Sequence, residues 1–279
     1  MEEKIAYLDW MKLQQYTGAS LTATKSLCGI IKDYLHENSL KINGENLSAF
    51  ILHLGEEKIS FAYQKQFHWC LKNYSRYYLQ NHGKKLSLVL PKLPKINDRR
   101  EALNHKQVQQ IEDWINDLKR DKYYYLYQAL WVLFYGLGLR KKEALNLELK
   151  HLHLQGQFIE IQTLKNGQKR LLPLSPKQIQ ILLDYIQQSR PQPKAGFESY
   201  LLLGKRGGKA EALLQESIEI WQEKTKLGGA LCWHVLRHTI ATQLVAKGMN
   251  LRQVQLFLGH SSLASTAIYL HPNKHPHEL

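Results

Sequence analysis

Apolar positions in the first ninety residues recur at helical spacing, and no stretch among them alternates. In KSLCGIIKDYLHE, residues Leu27, Ile30, Ile31 and Leu35 share one face. LSAFILHLG predicts a short helix capped by Asn46 and ended at Gly55. SFAYQKQFHWCLKNYSRYYLQNHG predicts a longer one, with Ser60 as cap and Phe67, Leu71, Tyr74 and Tyr78 on its face. Gly83 stands where a C-terminal cap belongs. The aromatic side chains on these faces are assigned to a core rather than to base stacking.

The texture changes at Gly83, where GKKLSLVLPKLPKINDRR begins. Pro91 and Pro94 disfavour helix around themselves. An extended linker is predicted, set at residues 91–100, between a helical unit of residues 1–90 and a second unit of residues 101–279.

Helical periodicity returns beyond it. Asn104 can cap a helix whose face is Val108, Ile111, Ile115 and Leu118. YYYLYQALWVLFYGLG is apolar nearly all round, as a buried helix is, and Gly136 and Gly138 end it just before Arg140. FIEIQ alternates, and RLLPL follows LKNGQK, so Asn166–Gly167 predicts a hairpin. Ser175 with Pro176 starts another helix. ALLQESIEIWQEKTK is the next. A helix through His234 stops at Gly248, and Asn250 caps the last, LRQVQLFLG. The predicted fold is mainly α in two domains, a helical bundle followed by an α-rich mixed α/β domain with a small antiparallel sheet.

Composition narrows the class. The chain has 279 residues and 44% apolar composition, which favours neither disorder nor membrane residence. No apolar run approaches the ~18 residues of a membrane span. MEEKIAYLDW is acidic and lacks a signal-peptide core. Cys28, Cys70 and Cys232 are too scattered for a disulfide framework or a zinc site, so a cytoplasmic setting is expected. The net charge of +14 points to a polyanion partner. Residues 1–100 carry 15 Lys and Arg against 9 Asp and Glu, an excess of 6, which leaves 8 for the remainder. Both halves are therefore basic. Lys84, Lys85, Lys92, Lys95, Arg99 and Arg100 are candidates for phosphate contacts; a plain solvated hinge is the alternative reading of that stretch.

The candidate chemistry lies in the last fifth of the chain. HVLRHTIATQLVAKG brings His234, Arg237 and His238 within little more than a helical turn, and LGHSSLASTAIYLH holds His260 and, nine residues on, Tyr269. Arginine can hold two non-bridging phosphate oxygens through its planar fork. Histidine can donate to phosphate or move a proton near neutral pH. Tyrosine can be a covalent nucleophile.

This pattern resembles the C-terminal signature of the tyrosine recombinases, the phage-integrase family. GLGLRKKEAL is similar to the family's first arginine box, with Arg140 as its arginine and Glu143 three residues on. LKNGQKRLLPL is similar to the hairpin that carries the family's lysine, which places it at Lys165. The resemblance implies a SAM-like core-binding domain followed by a catalytic domain, closing as a clamp on a duplex. It implies that Arg140 and Arg237 hold the scissile phosphate, that His260 donates a further hydrogen bond, and that His234 assists proton movement. Tyr269 would attack to form a 3′-phosphotyrosyl bond while Lys165, or else Lys169 or Arg170 on the same hairpin, protonates the leaving 5′ oxygen. Glu143 and His238 would stand behind these groups, Glu143 orienting Arg140, and Lys141 and Lys142 would touch backbone phosphates. No cofactor and no metal are implied.

The implied partners are double-stranded DNA with a specific recombination site and a homo- or hetero-tetramer on two duplexes, with room for an accessory protein. A Xer-like resolvase and a mobile-element integrase both fit. A non-cleaving DNA-binding protein on the same fold, or a topoisomerase-like nick-and-reseal enzyme, is the alternative. Trp233 stands where the family often has proline. Only ten residues, with Pro272 and Pro276, follow Tyr269, which is short for the C-terminal helix that family members exchange.

Overall fold

The computed structural model describes residues 2–16, 18–57, 59–92, 101–162, 169–228, 231–260 and Thr266. It places four helices in the first ninety residues: α1 (Glu2–Leu13), α2 (Gly18–Glu37), α3 (Gly44–Glu56) and α4 (Phe61–His82). Their apolar faces meet in one core that includes Tyr7, Met11, Leu27, Phe50, Phe67 and Leu71. Ile30 departs from its expected face and is 37% exposed. Of the tyrosines on that face of α4 the buried one is Tyr77, while Tyr74 and Tyr78 are half-buried.

The cap of α3 is Asn43, not Asn46. Asn43 is extended, with φ −148° and ψ 170°, and its side chain accepts from the Asn46 backbone N–H. The helix therefore starts a turn earlier than the apolar run, at Gly44, where a Cβ would collide with the Ser87 backbone. Ser60 does precede α4, but its side chain makes no capping bond. Gly83 ends α4 in the left-handed region, φ +64°.

The segment after Gly83 is not free linker from the start. Leu86 is buried in the helical core. The Val89 N–H donates to Ser48 Oγ on α3 at 2.9 Å. The chain divides into two compact units, Met1–Asn97 and Asp98–Leu279. The expected linker residues Lys95, Arg99 and Arg100 lie outside the described residues.

In the second unit α5 (His105–Asn116) begins at Asn104, which exchanges capping bonds with Gln107. Then α6 (Lys122–Trp131) starts at Asp121 and widens into a π-helical turn over Val132–Gly136. Helix α7 (Lys141–Leu145) and a 3₁₀ turn lead into a three-stranded antiparallel sheet: β1 (Leu152–His153), β2 (Phe158–Gln162) and β3 (Lys169–Pro173). The strands β2 and β3 pair from Phe158 with Pro173 to Gln162 with Lys169. The Asn166–Gly167 turn and Lys165 lie outside the described residues.

The remaining helices are α8 (Pro176–Gln188), α9 (Glu211–Lys224), α10 (Trp233–Ala246) and α11 (Leu251–Leu258). Ser175 and Asn250 cap α8 and α11 as expected. The core of this unit runs through α6, the sheet, α8, α9 and the start of α10. Among the described residues no helix is long and apolar enough to cross a membrane.

Candidate active site

Arg140 owes its place to the end of α6. In the π turn the Leu137 N–H reaches back to the Val132 carbonyl at 2.8 Å, and the Leu139 N–H to Leu133 at 3.0 Å. Such wide turns recur at functional sites. Aromatic packing anchors this one: Trp131 stacks on Tyr135, and Phe134 on Trp233, with centroids 4.3 and 4.2 Å apart. Trp233 thus has its own reason to stand at the start of α10. Gly138 then takes φ +60°, and Arg140 precedes α7 in extended conformation.

Glu143, one turn into α7, is almost wholly buried and gathers the site around its carboxylate. It accepts from the Arg140 backbone N–H at 2.9 Å and from Arg140 Nη1 at 2.7 Å. Arg170 on β3 grips both its oxygens, through Nη1 at 3.0 Å and Nη2 at 2.9 Å. Arg237 Nη1 stands 3.7 Å from it. Burial pushes the Glu143 pKa up, but the hydrogen bonds and charges of Arg170, Arg140 and Arg237 outweigh it and bring the carboxyl to about 2. Three guanidiniums around one carboxylate leave the cluster net positive.

Arg237, on the second turn of α10, is 3% exposed. Its Nη1 donates to the Gly138 carbonyl at 2.5 Å and its Nη2 to the Leu258 carbonyl at 2.6 Å. Arg140 reaches the Gly259 carbonyl from both Nη atoms at 3.3 Å. The end of α11 is therefore a collar of carbonyls that aims two arginines. Gly259 is required there twice: its φ is +66°, and a Cβ would sit 2.7 Å from Arg170 Nη1.

His260 follows at once. Gln255 fixes its backbone, accepting from the His260 N–H and donating to its carbonyl, both at 3.0 Å. The ring Nδ1 lies 2.9 Å from Thr266 Oγ1. Desolvation, then the charges of Arg237, Arg140 and Arg170, lower its pKa to about 4 against a small opposing pull from Glu143. The ring is thus neutral at physiological pH. His234, on the first turn of α10, is more exposed; desolvation, Arg237 and Arg140 hold its pKa below the ordinary value.

The structure thus brings together Arg140, Glu143, Arg237 and His260, with His234 within reach of the two arginine charges. His238, one turn along α10, is half-buried. Lys165 and Tyr269 lie outside the described residues. Lys169 is exposed and pairs with Glu160 at 3.0 Å. Arg170 was expected, if anything, as an alternative proton donor on the hairpin; instead it is buried and spent on Glu143. The signal for this was its register: Arg170, Leu172 and Leu174 share the inward side of the strand, and an inward arginine needs a carboxylate. Lys84, Lys85, Lys92 and Lys142 are exposed, and Lys141 is half-buried.

Comparison with known proteins bears on what such a cluster is for. The sequence model of the phage integrase family matches residues 101–275. The chain belongs to the phage integrase family. Tyrosine recombinase XerC of Actinobacillus succinogenes is 37% identical over 147 residues, 52% of this chain and 48% of that protein. The chain spans about half the length of the curated relatives it matches. Two solved structures share the fold. XerH site-specific recombinase bound to palindromic difH substrate, in a post-cleavage complex, superposes with a TM-score of 0.73 at 22% identity, covering 92% of this chain and 77% of that one. The Tn1549 transposon integrase in complex with circular intermediate DNA gives 0.74 at 18% identity, covering 96% and 94%.

Proposed function

We propose that this phage-integrase-family chain is a site-specific DNA recombinase that cleaves and rejoins strands through a covalent 3′-phosphotyrosyl intermediate. The observation that carries this reading is the convergence of Arg140, Arg237 and a neutral His260 on the collar at Leu258–Gly259. A phosphodiester gains charge on its equatorial oxygens as it is displaced, and fixed donors aimed there lower the barrier most. Arg140 and Arg237 hold the non-bridging oxygens. If the Thr266 hydroxyl donates to Nδ1, the His260 ring carries its proton on Nε2 and offers it to the phosphate.

Tyr269 is the nucleophile in this reading. Its oxygen bonds to phosphorus, the P–O5′ bond breaks, and the phenolic proton passes to His234 or the phosphate. Lys165 gives a proton to the departing 5′ oxygen. Attack by another strand's 5′ hydroxyl reverses the steps and restores the backbone. The two units grip DNA in the cytoplasm, and a tetramer on two duplexes exchanges the strands, by analogy with the lambda integrase tetramer bound to a Holliday junction. Lys141, Lys142, Lys84, Lys85, Lys92, Lys95, Arg99 and Arg100 supply backbone contacts.

The test is a nicked duplex bearing the site that the chain enriches from a random-sequence pool. Wild type should become covalently attached to it. Tyr269→Phe should bind equally well and form no adduct, because a ring of the same shape has lost its oxygen. An adduct with the Phe variant removes Tyr269 as nucleophile; binding by wild type without any adduct favours the non-cleaving alternative.

A further inference from the structure

Glu143 presents a difficulty for any phosphate clamp. It is a buried carboxylate within reach of the same two arginines that must hold an anion. Left alone with them, it is the nearest competitor for their charge. Arg140 keeps Nη1 on Oε1 at 2.7 Å, but Arg170 limits the pull on Arg237: its Nη1 and Nη2 take both Glu143 oxygens at 3.0 and 2.9 Å. Arg237 then stays 3.7 Å from the carboxylate, tied instead to the Gly138 and Leu258 carbonyls. The third donor of Arg170, Nε, reaches the Phe257 carbonyl at 3.0 Å. One side chain thus joins β3, α7 and the end of α11, three of the elements around the site. Its Nε, Nη1 and Nη2 are all engaged within the protein.

We propose that Arg170 is a positioning residue for strand cleavage, engaging both Glu143 oxygens so that Glu143 does not draw Arg237 off the Gly138 and Leu258 carbonyls that aim it at the scissile phosphate. The role needs arginine rather than any cation. A planar fork matches both carboxylate oxygens, and Nε still points to a carbonyl; lysine offers one point of charge. Gly259 fits the same account, since a side chain there would displace the Arg170 head.

This inference rests on the recombinase reading, and its test separates the two. Three nicked duplexes on the enriched site are compared: the natural linkage, a methylphosphonate at the scissile position, and a 5′-bridging sulfur. On the natural linkage Arg170→Ala should cleave about 100-fold more slowly than wild type, the scale of a misplaced clamp. Arg170→Lys keeps the charge and the fold but not the fork, and should lose about tenfold. A methylphosphonate carries less charge for the clamp to stabilise, so both deficits should shrink to within about threefold. Bridging sulfur changes only the leaving group and should leave both deficits in place.

Equal losses on all three linkages would make Arg170 merely structural and overturn the proposal. Rescue by sulfur alone would place Arg170 on the leaving-group side and overturn it too. Should Arg170→Ala fail to fold, the Arg170→Lys ratios decide by the same criteria. If wild type forms no adduct on any linkage, the recombinase reading falls and takes this inference with it; wild-type cleavage with unimpaired variants sinks Arg170 alone.

Discussion

Residues 1–97 fill their interior with rings and aliphatic chains, such as Tyr7, Phe50, Phe67 and Leu71, and their described buried polar residues are Thr24, Ser48, His68 and Asn73. The second unit has a larger apolar core and yet also buries Glu143 and Arg237, with Arg170 nearly so. Both units bury apolar surface to fold. A buried ion cluster is a poor way to gain stability, because desolvating the charges offsets most of their attraction. Among the described residues such a cluster occurs in only one unit; on the recombinase reading that unit carries the chemistry and the helical bundle serves as its scaffold.

The sharpest break of this comparison lies within the second unit's chemistry. Lys165→Ala should lose about 10²–10⁴ in cleavage rate, the usual worth of a positioned proton donor. Bridging sulfur at the 5′ position leaves as a thiolate and needs no proton, so Lys165→Ala should approach wild type on it. Arg237→Ala should stay slow on both substrates, because its task is the non-bridging oxygens. If sulfur rescues Lys169→Ala and not Lys165→Ala, the donor is Lys169, and its pair with Glu160 opens on DNA binding.

Next comes a pair of substitutions with matched cost and different consequences. Glu143→Ala leaves the Arg170 and Arg237 charges uncompensated and should destabilise the second unit by about 3–5 kcal/mol. Phe50→Ala should destabilise the first by a similar ~3–5 kcal/mol through the cavity it opens. Calorimetry should show a different transition moving in each. At a temperature where both variants remain folded, only Glu143→Ala should slow single-turnover cleavage. Equal slowing by Phe50→Ala would show that the scaffold's packing, too, sets the chemistry.

How far these differences could be read from the sequence follows from the range of the interactions involved. Asn104, Ser175 and Asn250 cap their helices through bonds that span three residues, so a local pattern was enough to find them. The Arg140–Glu143 pair is equally local. Asn46 was expected to cap α3; Asn43 does so instead, accepting from the Asn46 N–H, and Gly44 beside it packs against the Ser87 backbone. The π turn packs against Trp233, about a hundred residues away, which stacks on Phe134. Arg170 meets Glu143 across 27 residues: its inward register called for a carboxylate, but nothing local named Glu143 as that carboxylate. The ordered motif pointed to Arg140, Arg237 and His260; the Arg170–Glu143 pair had to be seen in place.

Acid should separate the units more gently. His260 has a folded pKa of about 4 against its usual 6.5, so the unfolded chain binds the proton more readily. The stability it contributes is complete above 6.5 and is lost as pH falls towards 4. Glu143, at about 2 against 4.5, adds a second loss below 4.5. His68 gives the first unit one acid-sensitive group, its pKa lowered by burial and then by Lys72. The second unit's transition temperature should therefore fall further on acidification. His260→Asn should flatten the part of that fall between pH 6.5 and 4; an unchanged slope would mean that other groups carry it.

The smallest effect tests whether the scaffold also grips DNA. Lys84, Lys85 and Lys92 are exposed at the end of the first unit, and Lys141 and Lys142 follow Arg140 in the second. If the two units together neutralise about six phosphates, log K should fall with log[salt] at a slope near −5. Each lysine on a phosphate accounts for about 0.9 of that slope. Replacing Lys84, Lys85 and Lys92 by glutamine should then flatten it by about 2–3, and replacing Lys141 and Lys142 by about 1–2. Affinity should drop alike for the enriched site and for unrelated duplex, because these contacts carry no sequence information. A slope that moves only with Lys141 and Lys142 would leave the segment after Gly83 a plain tether, with DNA held there by the second unit alone.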